Sequence, residues 1–181
     1  MRRMFRRQIR RTLAQNVSPV LQEANVAFDK GEYRHAAELF ENIAQTADAR
    51  GGSRAPIFHL QAGRARVFAG QTKPGILSLQ RGLELFAERG QLHKLHRASQ
   101  RVLAELRSRG LNAEATEMES WLKKLAAPMS DLETQSIPVK RPTLPTHCLS
   151  CGAAVKPDEV DWLDDVTAEC AYCGSPIRDE G

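Results

Sequence analysis

Four cysteines, standing as the pairs Cys148/Cys151 and Cys170/Cys173, are the residues of this chain best suited to chemistry. The pattern C-x2-C-x18-C-x2-C lies in the spacing range of a four-thiolate metal site. Two intervening residues let both sulfurs of a pair turn toward one ion. Gly152 and Gly174 follow the pairs and permit the positive φ that such a turn needs. Four sulfur ligands leave no open coordination position, which describes a structural zinc ion rather than a catalytic one. Iron is the second candidate for a tetrahedral thiolate set. Two disulfides would be the other use of four cysteines, and without a signal peptide to mark an oxidising compartment they are not expected.

The run from Val166 to Ile177, with Cys170, Cys173, Gly174 and Pro176, resembles the second knuckle of a zinc ribbon with its flanking strands. Leu149 and Ala171 stand where such knuckles often carry proline. The resemblance spans residues 147–181 and implies metal binding. Ribbons serve as nucleic-acid binders, protein docking modules and simple staples, so it implies no one activity. The knuckles also resemble those of rubredoxin, which holds iron, and that likeness implies electron transfer as an alternative. Trp162, set among Asp161, Asp164 and Asp165, is expected to pack over the small ribbon core, because a module of this size needs its metal and an aromatic anchor.

Other side chains offer less. His93 and His96 lie three apart on an expected helix beside Lys94 and Arg97, with no acidic or thiol third ligand nearby, and read as a solvated face. His147 precedes Cys148 and is a spectator to a complete ligand set, while His35 and His59 are isolated. The acid pairs Glu38/Glu41 and Glu114/Glu117 are expected to face solvent. No glycine-rich phosphate loop, nucleophile elbow or H-E-x-x-H helix is present, and all cysteines are committed to metal. An enzyme and a small-molecule substrate are therefore not expected.

The elements that must position the cysteines follow from periodicity. Ala37, Phe40, Ala44 and Ala47 mark one apolar helical face, and the same spacing returns 39 residues on at Ile76, Leu79, Leu83 and Phe86. It returns again at Ala115, Met118, Leu122 and Leu125. Partner helices align at Phe28, Val67 and Leu106, and at Ala24, Gly63 and Val102, with turn glycines at Gly31, Gly70 and Gly110. The pattern predicts helix pairs at 19–30 with 33–50, 55–69 with 74–89, and 92–109 with 112–126. Ser18-Pro19 is a capping start, and Gly51-Gly52-Ser53 closes one helix and caps the next. Three helical hairpins at a fixed period predict a mainly α chain, a small α-solenoid followed by a small β ribbon.

The first hairpin resembles a tetratricopeptide repeat at Gly31, Tyr33, Ala36 and Phe40. The later hairpins keep the glycine but carry Thr72 and Asn112 at the tyrosine place. The resemblance implies recognition of a protein segment in a groove lined by first-helix residues such as Asn25, Gln61 and Arg64. The organisation expected is a basic amphipathic helix at 1–16, a tetratricopeptide-like domain at 17–126, a proline-rich linker at 127–146 and a zinc ribbon at 147–181. Substituting one cysteine is expected to unfold the ribbon and to leave the melting of the helical domain nearly unchanged.

Charge is uneven along these 181 residues: 22 Lys/Arg against 12 Asp/Glu in residues 1–126, and 4 against 10 in residues 127–181. The two parts can attract each other, or the basic part can seek an anionic partner. Arg2, Arg3, Arg6, Arg7, Arg10 and Arg11 flank an apolar stripe of Met1, Met4, Phe5, Ile9 and Leu13. Such a leader suits an anionic membrane surface or nucleic-acid phosphates, or packs its stripe on the first repeat. No stretch of 18 apolar residues is present, so no spanning helix is expected. Together these features lead one to expect a cytoplasmic zinc-binding adaptor that meets a protein partner, with contact at the inner face of the membrane or with nucleic acid as further expectations.

Overall fold

The computed structural model describes residues 18–126, 143–157, 160–162 and 166–178. Six helices are found among them: α1 (Pro19–Asp29), α2 (Tyr33–Ala49), α3 (Ala55–Phe68), α4 (Thr72–Glu88), α5 (Leu92–Ser108) and α6 (Asn112–Ala126). Each packs on its neighbours in the chain. A small antiparallel sheet follows, with strands β1 (Asp161–Trp162), β2 (Thr167–Glu169) and β3 (Pro176–Arg178) in that order. Asp161 pairs with Glu169, and Ala168 with Ile177. The chain is mainly α with a small C-terminal β element.

One device ends α1 through α5. Gly31, Gly51, Gly70, Gly90 and Gly110 all take a positive φ between 65° and 80°. The next N–H reaches back to a carbonyl five residues earlier, as in Glu32 to Ala27 at 2.9 Å and Leu111 to Leu106 at 3.0 Å. This closure satisfies carbonyls that a helix end leaves bare. The glycines recur every 19 or 20 residues. Gly90, outside the 39-residue repeat of turn glycines, completes the series. The expected caps do not form: neither Ser18 nor Ser53 makes one, and Arg54 occupies the N-cap place of α3. Proline near the start of α1 and of α3 fixes φ for the first turn instead.

The apolar faces meet as their spacing predicts. Phe40, Leu83, Leu106 and Met118 are fully buried. Each contributes about 1.5–3 kcal/mol of transfer free energy. The α3–α4 contact is closer than side chains allow. A Cβ at Gly63 would stand 2.7 Å from the carbonyl oxygen of Gly75, and one at Gly82 would stand 2.7 Å from that of Pro56. Glu41, expected in solvent, pairs instead with Arg66 of α3.

The buried residues form two clusters, and the division between them does not follow the linker. One joins Val67 and Leu79 through Met118, from α3 to α6. The other joins α1, α2 and part of α3 with the C-terminal element. Leu21, Ala24, Phe58 and Ala62 share it with Cys148, Cys151, Cys170 and Tyr172. Trp162 packs against this second cluster, as expected, and its indole N–H points to the Pro157 carbonyl at 3.4 Å. No helix among the described residues is long and apolar enough to cross a membrane.

Candidate metal centre

Two turns of the same build carry the cysteines. In the first, Gly152 N–H donates to the Cys148 carbonyl at 2.8 Å, and Cys148 N–H donates to that of Ala153 at 2.8 Å. In the second, Gly174 N–H donates to Cys170 and Cys170 N–H to Ser175, both at 2.9 Å. Gly152 and Gly174 hold φ at 73° and 74°, where a side chain would be strained. An isolated bridge between His147 and Ala154 braces the first turn, and the β2–β3 pairing braces the second.

The turns face each other so that the sulfurs interleave. Cys148 Sγ lies 3.7 Å from Cys173 Sγ, and Cys151 Sγ lies 3.8 Å from Cys170 Sγ. All four fall within 4.8 Å of one another, and none is in a disulfide. Sulfurs at about 2.3 Å from a central ion in tetrahedral geometry stand about 3.8 Å apart. These two spacings match a tetrahedral S4 set able to hold one ion, and zinc and iron suit it equally. Three of the cysteines are buried and Cys173 is half-buried. Hydrogen bonding from Cys151 holds the Cys148 thiol far below the ordinary range, while its bond to Cys148 pushes Cys151 far above. A divalent ion held by the four sulfurs would remove that conflict by favouring the thiolate of each.

The surroundings of the cage were only partly legible. The buried Ser175 hydroxyl stands 3.2 Å from Cys173 Sγ, placed to donate to the sulfur as a thiolate. The other supports come from the helices. Buried Asn25 on α1 donates from Nδ2 to the Cys151 carbonyl at 2.9 Å, and Gln22 donates to the Ser150 carbonyl at 2.7 Å. Gln61 on α3 donates to the Tyr172 hydroxyl, and Arg54 pairs with Glu169 at 2.9 Å. His147 turns from the cage toward Asp29, 3.4 Å away. The C-terminal element thus seats on α1 and α3. Nothing in the sequence linked Asn25 or Gln61 to the cysteines, because a groove-lining and a ribbon-holding polar residue look alike in one dimension.

Of the three residues expected to line a partner groove, Asn25 and Gln61 are engaged by the chain itself. Arg64 joins Glu105 of α5 at 2.8 Å and lies over the rings of Phe28 and Phe68. His93 and His96 are exposed on α5 and form no metal-ligand cluster among the described residues. The arginines at positions 2, 3, 6, 7, 10 and 11 lie outside the described residues, as does most of the expected linker.

No family model, curated protein or solved structure matches the chain. Its class rests on its own geometry: a mainly helical protein with a C-terminal cluster of four cysteines able to hold a metal ion.

Proposed function

We propose that this protein is a non-enzymatic, cytoplasmic adaptor in which a structural zinc ion locks a C-terminal ribbon onto a tetratricopeptide-like helical solenoid. The observation that carries the reading is the S4 cage, whose four positions are all filled by the chain and whose backbone is bonded to α1. An ion so enclosed organises structure and leaves no position for substrate. The solenoid reading is supported by small buried residues at equivalent positions of the first two hairpins. Ala24 and Ala36 are fully buried in the first, and Gly63 meets Gly75 in the second, each pair twelve residues apart. Small residues at these places let paired helices approach closely. The role left to such a scaffold is to present a surface to another protein.

Two measurements test this. Protein purified without added metal should contain one zinc per chain and show no visible absorption. One iron, with bands that bleach on reduction, would replace the adaptor with an electron carrier. A photo-crosslinking residue placed at Arg97, where α5 faces α3, should capture a partner in cells. One at Gln100, exposed on another side of α5, should not. Equal labelling from both positions would argue against a defined docking face.

A further inference from the structure

The four cysteines are not equivalent. Cys148, Cys151 and Cys170 are buried, at 3%, 0% and 2% exposure, while Cys173 is half-buried. Cys173 also lines an open groove between the start of α1, the α2–α3 turn and the second cysteine turn. Ser18 and Ser53, both exposed, line the same groove together with Phe58 and Tyr172. Its volume is about 260 Å³, and one water occupies roughly 30 Å³ of liquid, so a molecule little larger than water can enter with its solvent. A cysteine that holds a metal is a thiolate, the form that attacks peroxides. A second sulfur is at hand: Cys148 Sγ, in the facing turn, stands 3.7 Å from Cys173 Sγ. A small closing motion of the two turns would join them.

We infer that Cys173 is a peroxide-sensitive modification site, whose oxidation joins it to Cys148 and releases the C-terminal element from α1 and α3. The inference rests on the structural-zinc reading and gives that site a means of regulation. The Cys173 thiolate attacks one oxygen of hydrogen peroxide. An S–O bond forms, the O–O bond breaks, and the departing hydroxide takes a solvent proton and leaves as water. The Cys148 thiolate then attacks the sulfenic sulfur. An S–S bond forms, the S–O bond breaks, and hydroxide again leaves as water with a solvent proton. Two electrons pass from the sulfurs to one peroxide, which becomes two waters. Cys151 and Cys170 then offer two ligands where a tetrahedral ion needs four. Loss of the ion removes what holds the turns together, and the buried cluster they share with Leu21, Phe58 and Ala62 opens. A thiol reductant reverses the change, since sulfenic acid and disulfide are reversible stages of cysteine oxidation.

The test treats the full-length, zinc-loaded chain with hydrogen peroxide and follows zinc release with a colorimetric chelator. Zinc per chain is measured before peroxide is added. Release should quicken with peroxide concentration, and dithiothreitol with added zinc should restore both the metal and the melting curve. With dimedone present from the start, peptide mass spectrometry should place the sulfenic adduct on Cys173. Without dimedone it should find a disulfide between Cys148 and Cys173. Ser53→Trp sets an indole in the groove and should slow release about fivefold with an unchanged melting curve, because access limits the oxidation of a thiolate. Leu77→Trp, on α4 and outside the groove lining, should leave the rate as it is. An adduct formed first on a buried cysteine, a disulfide within one turn, or a Ser53→Trp rate equal to the parent's would overturn the inference. Bound zinc that resists peroxide would remove the switch and leave the adaptor standing. A chain that holds no zinc before treatment would remove the inference along with the reading it rests on.

Discussion

The side-chain amide of Asn25 donates a 2.9 Å hydrogen bond to the carbonyl of Cys151, 126 residues further along the chain. The same amide also donates to the Leu21 carbonyl, one turn back on its own helix, at 2.9 Å. A polar residue on the first helix therefore fixes the backbone of a candidate metal ligand. Both partners are buried, so neither has water to replace the other. Asn25→Ala should destabilise the loaded protein by about 1–3 kcal/mol, the cost of leaving a buried carbonyl unpaired. It should also speed metal loss to a colorimetric chelator by about tenfold, the lower end of effects seen for residues that orient ligands. Gln22→Ala, which removes a bond in an exposed setting, should change either quantity little. Unaltered release from the Asn25 variant would mean that α1 does not support the cage.

The shared core changes the expectation that the C-terminal element and the helices melt apart. Leu21, Phe58 and Ala62 belong to one buried cluster with Cys148, Cys151 and Cys170. A chain without metal must bring four thiols together without compensation, so the free energy of metal binding contributes to the stability of that cluster. Cys170→Ser, or chelation, should lower the helical melting midpoint by about 5 °C or more, as ~2 kcal/mol would do in a domain of this size. Amide exchange should accelerate first in α1, α2 and the start of α3, with α4 to α6 retaining protection through their own cluster. An unchanged far-ultraviolet melting curve after metal removal would restore the independent-domain picture.

Close packing of α3 on α4 gives a third expectation. A methyl group at Gly82 would meet the Pro56 carbonyl oxygen at 2.7 Å and Leu60 Cγ at 2.8 Å. The backbone oxygen cannot rotate away, so the helices must part. Gly82→Ala should therefore destabilise by about 1–3 kcal/mol as overpacking does. Its higher helix propensity, ~1 kcal/mol in favour of alanine, works in the opposite direction and sets the net at the lower end. Leu77→Ala, at a side chain two-thirds exposed, is the control and should be near neutral. Urea midpoints of the two variants decide the matter; a neutral or stabilised Gly82 variant would show that the hairpin can open without penalty.

Much of this was written in the sequence, and the part that was not has a physical reason. Helix positions came from apolar spacing and from glycines, both local signals, and Gly31, Gly70 and Gly110 mark real helix ends. The cysteine cluster was legible because paired C-x2-C spacing brings four sulfurs within reach of a common point. The seating of the cysteine turns on α1 and α3 was not, since its bonds run between residues more than 110 apart, such as Gln61 with Tyr172. Polar side chains such as Asn25 and Gln61 carry no mark of their distant partner. Ser18 and Ser53 carry the residue type of a cap but not its bond, because proline-fixed backbone starts the helices without a side-chain partner.

His59 supplies the dependence on pH. Its Nε2 atom is buried without a hydrogen-bond partner, 3.4 Å from Asp48 Oδ2. Burial lowers its pKa below the ordinary 6.5, more than the nearby Asp48 carboxylate raises it, and Arg81 lowers it further. Arg81 also draws on the same carboxylate, at 3.1 Å. The unfolded chain therefore takes up the proton first as pH falls. Stability that His59 permits is fully present above about 6.5 and is lost as pH descends through its depressed folded value. Protonation of the cysteines in acid acts in the same direction, so the comparison must be differential. His59→Phe keeps bulk at the site and removes the titration. Between pH 7.5 and 5.0 the parent should lose more of its urea midpoint than this variant, while metal loss affects both. Parallel decline of the two would show that His59 is protonated alike in the folded and unfolded chain.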